Sequence, residues 1–339
     1  MLLFLCTLAG VTQAATEDEP GDEFFDQFEN FEDAPLPEAI THPAWFKLSF
    51  LDLGDDLAEA VAHGKQGLIV YLGQKYCAYC RKLLENDFGK ADIRTYTRKH
   101  FDVVGIDIHG QREVTDLNGS IWTERSFAVK QKVNFTPTLI FYDASGREAL
   151  RLTGYYPPYK FRAALEYVAD GYYRTEDFRT YLARAGVPLK FEAGDLNEED
   201  FFSPPPHALD RSRIPGQRPL VVFFEQGDCH ACDVLHSGPL RDADIRRRFL
   251  KMDATQLNMW SDTPVITPTG EHTTARKWAD ELGLFYAPTL IFFDERGHEI
   301  LRVDSVVQFY RLKNVLDYIL SGAYRRYPTF QQWRSEQHR

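Results

Sequence analysis

The chain has 339 residues, long enough for two domains that each bury a core, and its 44% hydrophobic and 26% charged residues are the ordinary balance of a soluble globular protein. Ten acidic residues between Glu17 and Glu38, with no basic one among them, account for almost the whole net charge of −11. The remainder is nearly neutral and offers no phosphate-binding surface, so nucleic acid is excluded as a partner.

In chain order, residues 1–15 read as a signal peptide. An apolar run from Leu2 to Val11 leads into Thr12-Gln13-Ala14-Ala15, small residues suited to cleavage after Ala14, although no Lys or Arg precedes the run. The run is too short to span a bilayer, and no later stretch is long and apolar enough to do so. The expectation is a soluble protein in the periplasm or otherwise exported, without stable membrane insertion. Residues 16–40 read as an acidic disordered leader whose phenylalanines (Phe24, Phe25, Phe28, Phe31) are solvated with it. A competing reading has this acidic-aromatic segment docking on a partner.

Residues 41–186 form a first domain. The patterns predict a helix over Asp56–His63, a buried strand over Gly67–Leu72, and a helical stretch over Cys80–Phe88. A strand over Phe101–Ile108 and a helix over Glu124–Lys132 follow. Thr138–Tyr142 and Ala149–Leu152 bracket the turn Asp143-Ala-Ser-Gly146 as a hairpin, and Pro158–Ala169 closes the unit as an amphipathic helix. The chain then repeats itself after a linker assigned to residues 187–216, rich in proline at Ser203-Pro-Pro-Pro206. Phe135-Thr-Pro-Thr-Leu-Ile-Phe-Tyr-Asp143 returns as Tyr286-Ala-Pro-Thr-Leu-Ile-Phe-Phe-Asp294, an offset of 151 residues. So long a period marks a duplicated domain rather than a solenoid unit. The second copy, residues 217–339, has predicted strands at Leu220–Phe224, Leu290–Phe293 and Ile300–Val303. Each copy is an α/β unit, a mixed sheet flanked by helices.

Of five cysteines, Cys6 falls in the signal, and the other four form two Cys-x-x-Cys pairs, Cys77–Cys80 and Cys229–Cys232. Each pair follows a buried strand and opens a helix. There the helix-terminal N–H groups and the dipole stabilise a thiolate on the first sulfur. Cys77 and Cys229 are then the exposed nucleophiles, and Cys80 and Cys232 the sheltered thiols that resolve a mixed disulfide. Pro137 and Pro288 start matched strands, where a cis peptide would face the disulfide and leave Thr136 and Ala287 free to pair with a substrate strand. Two alternatives stand beside this redox reading. One is a zinc or copper module using the paired cysteines, with His236 near the second pair. The other is a binding or chaperone scaffold with a redox-silent second domain. His207, His272 and His298 read as surface residues.

Strand, Cys-x-x-Cys, helix, then Thr-Pro-Thr or Ala-Pro-Thr before a hairpin resembles the thioredoxin superfamily, in tandem. Cys77-Ala-Tyr-Cys80, Arg112-Glu-Val-Thr-Asp and Phe135-Thr-Pro-Thr most resemble the periplasmic thioredoxins of sulfur-oxidation (Sox) systems and the Dsb reductase–isomerase group. The resemblance implies two thioredoxin-like domains, each with a cis-proline opposite its Cys-x-x-Cys. It further implies a disulfide reductase or isomerase that needs no bound cofactor. The implied partners are a disulfide-containing protein or a small sulfur compound as substrate, and a membrane or soluble electron donor. Gly154 matches the glycine lining the family's peptide groove, whereas its counterpart is Ser305. Tyr76 and Asp228 replace a frequent tryptophan, and Tyr71 and Phe223 stand where the cytosolic members carry a buried acid. Tyr79 and His230, inside the motifs, modulate the two centres: His230 favours a Cys229 thiolate and a more oxidising second domain.

Overall fold

Asp52 ends an extended segment, and its carboxylate accepts from Gly54 N and Asp55 N at 3.0 Å, starting helix α1 (Leu53–Ala62). In the computed structural model, which describes residues 26, 27, 29–184 and 196–337, a duplicated unit follows. The expected signal peptide lies outside these residues.

Strand β1 (Gly67–Gly73) is buried along its whole length, as an apolar run in mid-sheet must be. Helix α2 (Ala78–Lys82) begins at the first Cys-x-x-Cys and passes into a π-turn, Leu83–Asp87, so the predicted helix over Cys80–Phe88 starts earlier and widens at its end. Next come α3 (Ala91–His100), β2 (Phe101–Asp107), the small hairpin β3 (Glu113–Thr115) and β4 (Ile121–Thr123), and α4 (Glu124–Lys130). Strands β5 (Thr138–Asp143) and β6 (Glu148–Thr153) form the expected hairpin, and α5 (Pro158–Ala169) and α6 (Phe178–Arg184) complete the half. The sheet order is β2-β1-β5-β6, with β1 and β2 parallel and the rest antiparallel.

The second half repeats the scheme with β7 (His207–Ala208), β8 (Leu220–Glu225), α7 (His230–Ser237) and α8 (Ala243–Phe249). It continues through β9 (Asp253–Asn258), β10 (Pro264–Ile266), β11 (His272–Thr274) and α9 (Ala275–Glu281). Strands β12 (Thr289–Phe293) and β13 (Glu299–Val303) and helices α10 (Phe309–Leu320) and α11 (Phe330–Gln337) end it. Its sheet runs β13-β12-β8-β9, and the irregularity at Phe141/Tyr142 recurs at Phe292/Phe293. Each sheet is covered on both faces by its own apolar cluster.

Two boundaries differ from the sequence expectation. The linker assigned to 187–216 is part of the second half over much of its described length. Phe201 stacks on Phe249 at 5.3 Å, Phe202 meets Phe223 at 5.0 Å, Ser203 N donates to Ala254 O at 2.8 Å, and β7 pairs with β10. The apolar Phe201–Phe202 pair outweighs the proline-rich composition around it. Part of the leader is likewise packed: Glu29 and Asp33 are both buried, and Asp33 accepts from Tyr79 Oη and from the N–H groups of Tyr310 and Arg311.

A buried ion cluster ties the former linker to α7. His236, 3% exposed, lies with Nδ1 3.1 Å from Glu199 and Nε2 3.0 Å from Glu225, while Arg246 pairs with Glu199 and Gln256 donates to Glu225 at 2.8 Å. Burial lowers the imidazole pKa, but the two carboxylates together outweigh it and raise it above the ordinary value. A raised folded-state pKa means that the stabilisation is complete below the unfolded value of about 6.5 and is lost as pH rises through the folded value. Hydrogen-exchange protection around Phe201–Phe202 is therefore expected to fall as pH rises above about 6.5. Protection that does not change over that rise would remove His236 from this role.

Candidate active site

Both Cys-x-x-Cys pairs are closed as disulfides, Cys77–Cys80 and Cys229–Cys232. In each, the first cysteine is the helix N-cap: Cys80 N lies 3.0 Å from Cys77 Sγ, and Cys232 N lies 3.1 Å from Cys229 Sγ. A helix N–H aimed at the first sulfur stabilises a thiolate there, and the second cysteine, at 0% and 1% exposure for Cys80 and Cys232, is sealed beneath it. The Thr136–Pro137 and Ala287–Pro288 bonds are cis, and Cys77 Sγ lies 3.4 Å from Thr136 Oγ1. Gln74 Nε2 donates to the same hydroxyl at 2.9 Å.

The expected exposure of the first cysteines is not what the structure has. Cys77 is 5% and Cys229 8% exposed; Cys77 is covered where the two halves pack together, with Tyr310 and Arg311 of the second half lining its cleft, and Cys229 lies in the apolar cluster of its own half. The packing is reciprocal. Phe135, just before the first Thr-Pro, sits in the apolar cluster of the second half, 5.4 Å from Phe330. Its counterpart Tyr286 sits in the cluster of the first half, 5.6 Å from Tyr156, under the Lys160 ammonium at 4.4 Å. Gly154 and its counterpart Ser305 meet face to face: a Cβ built on Gly154, whose φ is +96°, would fall 2.0 Å from Ser305 Oγ. Next to them, Val306 N donates to Tyr155 O at 3.1 Å.

Thr136, expected to offer a free backbone edge, has its carbonyl taken by Arg311 Nη2 at 2.7 Å. Arg311 also lies over the Tyr79 ring at 3.3 Å. Ala287 and Pro288 are enclosed too, Pro288 lining a small cavity with Ala231, Ser305 and the leader residue Glu29. Burial pushes the Glu29 carboxyl up and the Lys160 ammonium down from their ordinary values. His230 opens α7, half-buried, directly after Cys229. His236, the histidine nearest the alternative metal reading, is held by its two glutamates, and no group of three or more His, Cys, Asp or Glu side chains among the described residues is arranged to ligate a metal.

Sequence reasoning missed the centre of this seam. Asp33 of the leader caps α10, accepting from Tyr310 N and Arg311 N at 2.8 Å, a task for which Gln308 offers no side-chain bond of its own. Tyr79, named as a modulator, donates its hydroxyl to Asp33 Oδ2 at 2.7 Å and accepts from Gln308 N at 2.9 Å. Phe31 packs edge-on against Tyr79 at 5.0 Å. The available signal was the acidic-aromatic spacing of the leader, which docks here on its own chain. Asp87, also unforeseen, is fully buried at the end of the π-turn after α2 with no hydrogen bond to its carboxyl oxygens, and burial drives the carboxyl well above the usual range.

A thioredoxin-like domain family matches the chain at residues 53–169 and again at 205–320. Among solved structures it is similar to a thioredoxin-fold protein from Helicobacter pylori, at 25% identity over 34% of this chain and 81% of that one, with a TM-score of 0.31. A thioredoxin from Thermus thermophilus is similar at 24% identity over 34% of this chain and 81% of that one, TM-score 0.28. An alkylhydroperoxide reductase component from Enterococcus faecalis is similar at 11% identity over 80% of this chain and 99% of that one, TM-score 0.25. No curated protein matches the chain. With a disulfide at the start of a helix in each matched stretch, the chain belongs to the thioredoxin-like family as a tandem pair of its domains, and is a thiol–disulfide oxidoreductase.

Proposed function

We propose that the chain is an exported disulfide reductase in which Cys77–Cys80 meets substrate and Cys229–Cys232 exchanges electrons with it. The observation that carries this reading is the setting of Cys77, an N-cap sulfur at the floor of a cleft beside Tyr76, which is 53% exposed. The Cys77 thiolate attacks a substrate disulfide and releases one thiol. Cys80 then attacks the mixed disulfide and releases the second, so that two electrons pass to the substrate. The closed groove favours reductase over isomerase, since an isomerase must lay a polypeptide along the Thr136 edge that Arg311 occupies. The apolar run Leu2–Val11 with its small-residue end, and the confinement of every later cysteine to a redox pair, support export. His230 is assigned the tuning of the second couple, and His230→Ala is expected to lower its potential.

Because each half borrows core residues from the other, the test uses the full chain with one pair silenced at a time (C77S/C80S or C229S/C232S). In the reduced protein at neutral pH, Cys77 is expected to alkylate at least roughly tenfold faster than Cys80, and Cys229 than Cys232, as the thiolate argument requires. Glutathione titration of the two variants then gives the two potentials. A second cysteine that reacts first, or a reduced pair that exchanges with no disulfide, defeats the assignment for that half.

A further inference from the structure

The cleft in front of Cys77 is built by both halves. Tyr76 and Cys77 form one side, and Tyr310, Arg311, Asn314 and Arg334 from α10 and α11 form the other. Its volume is about 70 Å³, room for a small substituent beside the sulfur. The routes a peptide would take are closed by Arg311 on Thr136 O and by the contact of Gly154 with Ser305.

The charges of the cleft are unequal. The Asp33 carboxylate lies at its wall but is already committed to Tyr79 Oη and to the N–H groups of Tyr310 and Arg311. Arg334, half-buried on α11, has only neutral partners: it donates to Tyr310 Oη at 2.6 Å and to Asn314 Oδ1, and its guanidinium lies 4.8 Å from the Tyr310 ring centroid. No carboxylate among the described residues forms an ion pair with it. A guanidinium held in place by neutral groups in the same cleft as a nucleophilic sulfur matches a carboxylate or sulfonate on a small molecule.

We infer that the Cys77 centre reduces low-molecular-weight disulfides bearing a carboxylate or sulfonate, and that Arg334 binds that anion. The inference rests on the reductase reading. The Cys77 thiolate attacks one sulfur of RSSR, and RS⁻ leaves and is protonated. Cys80 attacks Cys77 in the mixed disulfide and expels the second thiol. One disulfide and one protein dithiol thus become two RSH and the Cys77–Cys80 disulfide, with two electrons and two protons transferred. An external dithiol reductant restores the protein dithiol.

The test uses the full-length C229S/C232S protein, reduced and freed of reductant. It is mixed with dithiodipropionate, bis(hydroxyethyl) disulfide or cystamine, which are similar in chain length and differ in charge. Each rate of thiol loss is divided by the rate of the same disulfide with free dithiothreitol. The anionic disulfide is expected to exceed the neutral one by roughly tenfold, the size of one charge-assisted hydrogen-bonding interaction, and the cationic one to be slowest. Arg334→Gln should bring the anionic-to-neutral ratio close to one, and Arg334→Lys should keep part of it. A ratio near one in the unsubstituted cleft, a ratio that Arg334→Gln does not change, or a disulfide-linked peptide that outpaces dithiodipropionate would overturn the inference. If none of the disulfides reacts while both thiols titrate, the reductase reading falls and this one with it.

Discussion

Replacing Phe135 with alanine is expected to destabilise the protein by about 3–5 kcal/mol, the range for emptying a buried phenylalanine site, and to split its unfolding into two transitions. Phe135 is fully buried, yet the cluster it fills is that of the other half, where it meets Phe330 at 5.4 Å and the Arg311 guanidinium at 5.0 Å. Its removal leaves a cavity at the seam and not within the sheet that carries it. The coupling between halves should fail before either sheet does. Guanidinium unfolding followed by far-ultraviolet circular dichroism and tryptophan fluorescence would show this, since Trp278 and Trp333 report on the second half and Trp45 and Trp122 on the first. A single transition shifted by less than about 1 kcal/mol would mean that the seam does not depend on Phe135.

Asp33→Ala is expected to open the same seam from the leader side. The carboxylate accepts from Tyr79 Oη, Tyr310 N and Arg311 N, all within 2.8 Å. Alanine removes a helix cap and leaves buried donors unpaired, at a cost of about 2–4 kcal/mol on scales for caps and unsatisfied groups. Because Gln308 supplies no cap of its own, α10 should fray at its start and carry Arg311 away from Thr136 O. The alkylation rate of reduced Cys77 should then rise roughly tenfold or more, as far as the closed state loses population. Asp33→Asn, which keeps an acceptor oxygen, should give a smaller rise. A Cys77 rate that stays the same in Asp33→Ala would show that the leader does not hold the cleft closed.

The chemistry of each half was legible early because its signals are local. An apolar run that ends in Cys-x-x-Cys places a sulfur at a helix start whatever surrounds it, and the recurrence of Phe135–Asp143 as Tyr286–Asp294 declares a duplication without any tertiary information. The predicted strands fell within a residue or two of their observed ends, since apolar strand runs are local signals, whereas β9 with its polar alternation and the short β7 went unpredicted. The small hairpins β3–β4 and β10–β11 went unseen, since three-residue strands with half-exposed side chains carry no period to detect.

What the chain determined by itself was two α/β units and two dithiol centres. Tertiary structure alone decided how those centres meet solvent. Phe135 and Tyr286 look like ordinary core aromatics of their own domains, and nothing local distinguishes a residue that fills its own core from one that fills its neighbour's. Glu29 and Asp33 look like members of a solvated acidic run, yet Asp33 pairs with N–H groups 277 and 278 residues away in sequence. A charge run is read as solvated because water is its default partner. It folds only where a helix end has N–H groups to offer, and only the packing of two finished domains brings that helix end within reach.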